Sequence, residues 1–145
     1  MDKNKCIDVC NELLRGELSA IETYDQALEK FGKQPEAAKL RTIKADHLKS
    51  ANTLRDNIVS MGGKPAKDSG TWGTFVKAVN GNAKLLGESS AISALKQGEE
   101  HGVSEYQEAL ENEELMPECK TMIRTELLPR VTQHVSQLNS ISAIV

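Results

Sequence analysis

Two similar fourteen-residue stretches, identical at six positions, occur in this 145-residue chain, and each places a glutamate in an otherwise apolar helical stripe. Residues 16–29 read GELSAIETYDQALE and residues 98–111 read GEEHGVSEYQEALE. Both copies keep a glutamate and, seven residues later, a tyrosine: Glu17 with Tyr24, and Glu99 with Tyr106. A histidine follows at matching positions of the next helical pattern in each half. The repeat therefore predicts a duplicated helix hairpin.

Apolar residues recur at alternating spacings of four and three in four segments, which is typical of the inward stripe of a long bundle helix. Pro35 and Pro117 suit the first turns of helices, and Gly32 and Gly62 suit helix ends. Pro129 predicts a kink because it lacks a backbone donor. The pattern predicts no strands and four helices, at about residues 3–31, 35–61, 89–113 and 117–142.

The second and third predicted helices are joined by a long segment, at about residues 62–88. It starts with the polar stretch GGKPAKDSG and continues with apolar residues at helical spacing, of which Trp72 is the first. We expect a short amphipathic helix on the outside of the bundle, with Trp72 as its packing anchor. A long crossover is an established four-helix topology, and residues 1–145 are expected to form one domain.

Charge and hydropathy argue against several functions. The chain has 18 basic and 21 acidic residues, a net charge of −3 and no basic patch, so a nucleic-acid partner is not expected. It has no apolar run long enough to span a membrane and no leader pattern, so a cytoplasmic protein is the simplest expectation. The apolar C-terminal stretch ISAIV either extends the fourth helix or docks on a second copy, which would make a homodimer. No substrate is indicated.

Two glutamates and two histidines on the inward stripes are the candidate functional residues. Unpaired buried carboxylates cost several kcal/mol, whereas glutamates and histidines that converge from four helices can hold a metal ion. Their oxygen and nitrogen donors suit iron, manganese or zinc. Tyr24 and Tyr106 would either support the ligands through their hydroxyls or simply fill the core. The candidate ligands are Glu17, His47, Glu99 and His134.

Lys44 offers a metal-free alternative. It lies three residues before His47 on the predicted inward stripe. Its ammonium would balance Glu17 and Glu99 at roughly the position of an ion, and a protonated histidine would add a second positive charge. The sequence leaves two states open: a self-neutralised core without metal, and a single iron or manganese ion if Lys44 turns aside.

The repeated motif resembles the ferritin-like superfamily, and the rubrerythrin pattern in particular. Gly16-Glu17 with Tyr24 and Gly98-Glu99 with Tyr106 are similar to the Gly-Glu…Tyr repeats of its first and third helices. GGKP, DSGTWGTF and GEEHGVSEY resemble a bacterial family of four-helix bundles known only as a domain of unknown function. The resemblance covers nearly the whole chain. It implies an up-down four-helix bundle with a long crossover, and it implies the fold more firmly than any activity.

The chain departs from the di-iron members of that superfamily at two positions. Their second and fourth helices carry Glu-x-x-His, whereas this chain has Lys44 before His47 and Val131 before His134. Asp46 lies about 100° around the helix from His47 and does not replace the missing carboxylate. A two-metal centre is therefore not expected.

Three functions remain open on this basis, and the third is a self-associating bundle with a small-molecule cavity near the cluster, where Ala20, Gly98 and Gly102 either let the helices approach closely or leave a void. The first is a non-catalytic structural or stress-associated protein with a degenerate metal site. The second is a mononuclear iron or manganese protein of redox or storage type, and an enzyme of this kind would be a metal-dependent oxidoreductase.

The three cysteines do not suggest a disulfide framework, because their number is small and odd. Cys6 and Cys10 are four residues apart and share one helical face. We interpret Cys6, Cys10 and Cys119 mainly as small buried hydrophobes, with metal binding or oxidation sensing by the Cys6–Cys10 pair as the alternatives.

Overall fold

The computed structural model describes residues 3–70 and 88–143, and within them the chain is all-α with no strand. The first three helices are α1 (Lys3–Phe31), α2 (Pro35–Ser60) and α3 (Glu88–Glu111). The fourth helix is continuous and comprises α4 (Pro117–Met122), a π-helical turn (Ile123–Leu127) and α5 (Leu128–Ser142). The prediction of four helices without strands is confirmed. The predicted crossover helix around Trp72 lies outside the described residues.

Glycine and proline mark the helix ends as their chemistry requires. Gly32 has a φ of 55°, a left-handed conformation that glycine adopts without strain, and its N–H donates to the carbonyl of Leu28 at 3.0 Å. Gly62, with a φ of 85°, ends α2 in the same way. Pro35 and Pro117 lie in the first turns of α2 and α4, where a missing N–H breaks no helical bond.

The π-helical turn keeps the fourth helix in register with the core. The first inward-facing residues of this helix are four positions apart. In a regular α-helix, each step of four residues would turn the side chain about 40° further away from the core. The π-helical turn accommodates one extra residue, and the N–H of Leu128 donates to the carbonyl of Ile123. The π-helical turn ends two residues before Pro129, the residue at which the sequence predicts a kink. The buried positions are Cys119, Ile123, Leu127, Val131, His134, Leu138 and Ile141.

Contacts between side chains define the helix directions. Lys5, near the start of α1, pairs with Glu114, just after the end of α3, at 2.9 Å. Gln34, just before α2, hydrogen-bonds to Glu88 at the start of α3. Helices α1 and α3 are therefore antiparallel, and α2 ends and α3 begins at opposite ends of the molecule.

Two apolar clusters fill the interior, with a polar layer between them. The first includes Leu14, Leu54 and Ile123, and the second includes Phe31 and Leu95. Each fully buried side chain of this size contributes about 1.5–3 kcal/mol, which offsets the cost of burying charged groups between the two clusters. Within the described residues, no helix is long and apolar enough to cross a membrane.

Candidate metal centre

The four candidate ligands meet in the polar layer of the core. Glu17, His47 and Glu99 are each 3% exposed, and His134 is 1% exposed. One ligand atom from each of His47, Glu99 and His134 lies within 4.8 Å of the others. Glu17 joins this group through His47. The structure therefore brings together residues that are up to 117 positions apart in the sequence.

His47 lies between the two glutamates and contacts both. Its Nδ1 is 2.5 Å from Glu17 Oε2, and its Nε2 is 2.7 Å from Glu99 Oε2. Ionised carboxylates only accept hydrogen bonds, so both ring nitrogens donate and the ring is an imidazolium. Burial would lower the pKa of His47, but the charges of Glu99 and Glu17 and the hydrogen bonds to both raise it well above its usual value.

Glu99 is the best-connected carboxylate of the layer. Its Oε2 accepts hydrogen bonds from His47 and from the Tyr24 hydroxyl, the latter at 2.5 Å, and its Oε1 is 3.4 Å from His134 Nδ1. Burial would raise the pKa of Glu99, but the charge of His47 and the hydrogen bonds with His134 and His47 lower it to about 2. The carboxylate therefore stays ionised in the interior.

The two tyrosines support the glutamates in a reciprocal arrangement. Tyr24 on α1 donates to Glu99 on α3, and Tyr106 on α3 donates to Glu17 on α1 at 2.7 Å. Burial and the neighbouring carboxylates raise the pKa of both tyrosines well above 10. Both hydroxyls therefore remain donors, and each orients a carboxylate on the opposite helix.

Asp46 contacts the candidate site, and the sequence pattern does not indicate this contact. Its Oδ2 is 2.9 Å from His134 Nε2, and its side chain is 38% exposed. A carboxylate behind a histidine ring is the usual way of orienting a metal-binding imidazole, and here it turns Nδ1 of His134 towards Glu99. Asp46 contacts a histidine on another helix rather than on its own, so its spacing from His47 does not predict this contact.

The position of Lys44 corrects the expectation that its ammonium neutralises the cluster. Lys44 Nζ pairs with Asp25 on α1, at the surface and away from Glu17 and Glu99. The long lysine side chain reaches solvent at little cost from the edge of the stripe, whereas a buried ammonium would lose its hydration. The positive charge beside the glutamates is that of His47.

A small cavity lies beside the layer, between α1 and α3. Small residues line it, among them Gly16, Ala20, Gly98 and Gly102, and it ends on the two glutamates and two tyrosines. The sequence left open whether these small residues draw the helices together or leave a void. The volume of the cavity is about 20 Å³, which is room for about one water molecule.

The donor set fits one metal ion and does not fit two. Carboxylate oxygen and imidazole nitrogen suit first-row transition metals, and three such atoms already lie close together. A second ion would need bridging carboxylates at the positions of Lys44 and Val131. Lys44 faces Asp25, and Val131 is a buried apolar side chain.

The fold and this layer define an all-α protein with a buried glutamate–histidine cluster. The chain belongs to the family described as "Domain of unknown function (DUF2383)", whose model matches residues 5–112. That span contains Glu17, His47 and Glu99, whereas His134 lies beyond it. No curated protein and no solved structure matches the chain.

Proposed function

We propose that the protein is a ferritin-like four-helix bundle of two duplicated hairpins that binds one iron or manganese ion in its polar layer. His47, Glu99 and His134 would be ligands, with Glu17 as the fourth. The observation that carries the proposal is the gathering of three ligand atoms within 4.8 Å in a layer that is at most 3% exposed. A bound ion would supply redox chemistry or be stored there.

The charges of the layer support this proposal. Glu17 and Glu99 bring two negative charges, and the imidazolium of His47 balances only one of them. A divalent ion in place of the His47 ring proton would balance both, and this exchange would release a proton on binding. The supporting partners are already in position, since Asp46 holds His134 and the tyrosines hold the glutamates.

A specific observation favours a second candidate, a non-catalytic structural or stress-associated bundle. His47 hydrogen-bonds to both glutamates, so its imidazolium already gives each buried carboxylate a charged partner. In this case the proton on His47 completes the layer, and the polar network specifies how the four helices pack. Hydrogen-bonded buried networks of this kind rigidify a core.

Metal content separates the two candidates. The native protein and the variants Glu99→Gln and Glu111→Gln would be purified alongside each other and measured by elemental analysis. Glu111 lies on α3 like Glu99 but is exposed, so it is the matched control. We expect about one equivalent of iron or manganese in the native protein and in Glu111→Gln. Loss of a ligand should reduce retention at least tenfold in Glu99→Gln, since even the loss of an outer partner costs about 10–100-fold.

The opposite result identifies the second candidate. If the native protein holds no metal and added iron or manganese leaves its melting temperature unchanged, the metal proposal is wrong. Glu99→Gln should then still lower the melting temperature, because it disturbs the network around His47.

A further inference from the structure

The cysteines that meet in the fold are not the pair that the sequence spacing suggests. Cys6 is occupied by the turn between α3 and α4: its Sγ donates to the carbonyl of Glu114 at 3.2 Å and accepts the N–H of Met116 at 3.1 Å. Cys6 therefore stabilises a turn.

Cys10 instead meets Cys119 of the fourth helix under a shared donor from α2. The amide nitrogen of Asn57 is 3.5 Å from Cys10 Sγ and 3.2 Å from Cys119 Sγ. The two cysteines are 0% and 2% exposed, and neither forms a disulfide. Burial and the neighbouring Cys119 raise the pKa of Cys10 to about 12, so Cys10 is a neutral thiol.

We propose that Cys10 and Cys119 form a binding site for one monovalent copper ion, with the two sulfur atoms as its ligands. Sulfur donors select soft ions such as Cu(I) over the harder ions that suit the glutamate–histidine layer. Two sulfurs suffice for Cu(I), whereas structural zinc takes four ligands. Within the described residues, the one cluster of three or more close ligand side chains is that of His47, Glu99 and His134.

The geometry around Asn57 supports an ion between the sulfurs. The Asn57 amide donates to both sulfurs, so lone pairs of the two sulfurs point to one place, which the ion would occupy instead of the amide. If the ion took the position of the amide nitrogen, each sulfur would have to come about 1 Å closer to that position to form a metal–sulfur bond of about 2.3 Å.

Entry and charge are consistent with this site. Asn57 is only partly buried, so its side chain can swing towards solvent and admit the ion. Each thiol releases its proton to water on binding, and two thiolates with one Cu(I) leave a single negative charge. The ion therefore halves the negative charge that two buried thiolates alone would carry.

Competition for Cu(I) tests the site in the full-length, reduced protein without oxygen. Bathocuproine disulfonate, a Cu(I) chelator with a coloured complex, would compete with the native protein and with Cys10→Ala, Cys119→Ala and Cys6→Ser. We expect the native protein and Cys6→Ser to retain one equivalent, because serine at position 6 keeps the hydrogen bond to Glu114. Affinity should fall at least about tenfold in the two alanine variants.

Two outcomes overturn the proposal: no copper retained by the native protein, or an equal loss of affinity in Cys6→Ser and the alanine variants. Since the alanine variants lose buried volume, X-ray absorption of the copper-loaded native protein provides a test without mutation. It should show sulfur neighbours alone, and nitrogen or oxygen neighbours would overturn the assignment. Glu99→Gln should retain copper, so this site and the proposed iron or manganese site can fail independently.

Discussion

The two hairpins contribute matching residues to the polar layer, but the fold uses their histidines differently. The glutamates and tyrosines are equivalent, since each tyrosine donates to the glutamate of the other half. The histidines are not equivalent. His47 contacts both glutamates at 2.5 and 2.7 Å, whereas the close partner of His134 is Asp46 at the surface.

Flanking residues explain this difference. Asp46 precedes His47 on α2 and faces the fourth helix, where it binds His134. The corresponding neighbour of His134 is Gln133, which is exposed and has no carboxylate to offer. A repeated motif therefore places equivalent side chains in a core, but single neighbours decide which partners each histidine contacts.

The largest expected effect is a difference between His47→Leu and His134→Leu. Removing His47 leaves two buried carboxylates without their cation, and breaking a buried pair costs about 3–5 kcal/mol. Removing His134 should cost less, about 1–3 kcal/mol. It removes only the contact with the partly exposed carboxylate of Asp46 and the long contact of 3.4 Å with Glu99. The free energy of unfolding, measured with urea, should fall further in His47→Leu. Equal losses would contradict the asymmetry between the hairpins.

The same asymmetry predicts a pH profile for stability. The pKa of Glu99 is about 2 in the folded chain against an ordinary value of 4.5, so its contribution is present above pH 4.5 and is lost as the pH falls towards 2. The pKa of His47 is raised above 6.5, so its contribution is full below pH 6.5 and is lost as the pH rises through the folded value.

The contribution of the layer to stability should therefore be highest between about pH 4.5 and 6.5, and it should amount to a few kcal/mol at most. Urea unfolding across pH measures this profile. His47→Leu should flatten the alkaline side, and His134→Leu should preserve it. If both variants keep the alkaline loss of stability, His47 is not the cation of the layer.

The sequence predicts features that depend on one helix at a time. Periodicity locates four helices, and glutamates in a leucine-like stripe mark a polar layer. A run of inward positions spaced by four residues would also have indicated the π-helical turn at Ile123–Leu127. These features follow from the geometry of a single helix.

Contacts between helices were less predictable. Asp46, Lys44 and Cys119 each find a partner on a different helix, and the choice depends on the reach of the side chain and on how far each helix edge lies from water. Spacing along one helix contains no such information. For this reason the sequence leaves Lys44 open as a source of positive charge in the core, and it does not indicate the pairing of Cys10 with Cys119.

A smaller effect is expected from Tyr24→Phe and Tyr106→Phe. Each change removes one hydrogen bond to a buried carboxylate, and such bonds to charged groups contribute about 1.5–3 kcal/mol. Because the two contacts are reciprocal, the losses in free energy of unfolding should agree within about 0.5 kcal/mol. A loss in only one variant would show that the glutamates, like the histidines, differ between the hairpins.

The smallest effect is expected from Lys44→Ala. Lys44 pairs with Asp25, whose side chain is 54% exposed, and pairs of this kind contribute about 0.2–1 kcal/mol. A double-mutant cycle with Asp25→Ala should give a coupling energy in that range, and added salt should weaken it. A loss of several kcal/mol from Lys44→Ala alone would instead mean that the ammonium neutralises the glutamates. His47 would then not need its second ring proton.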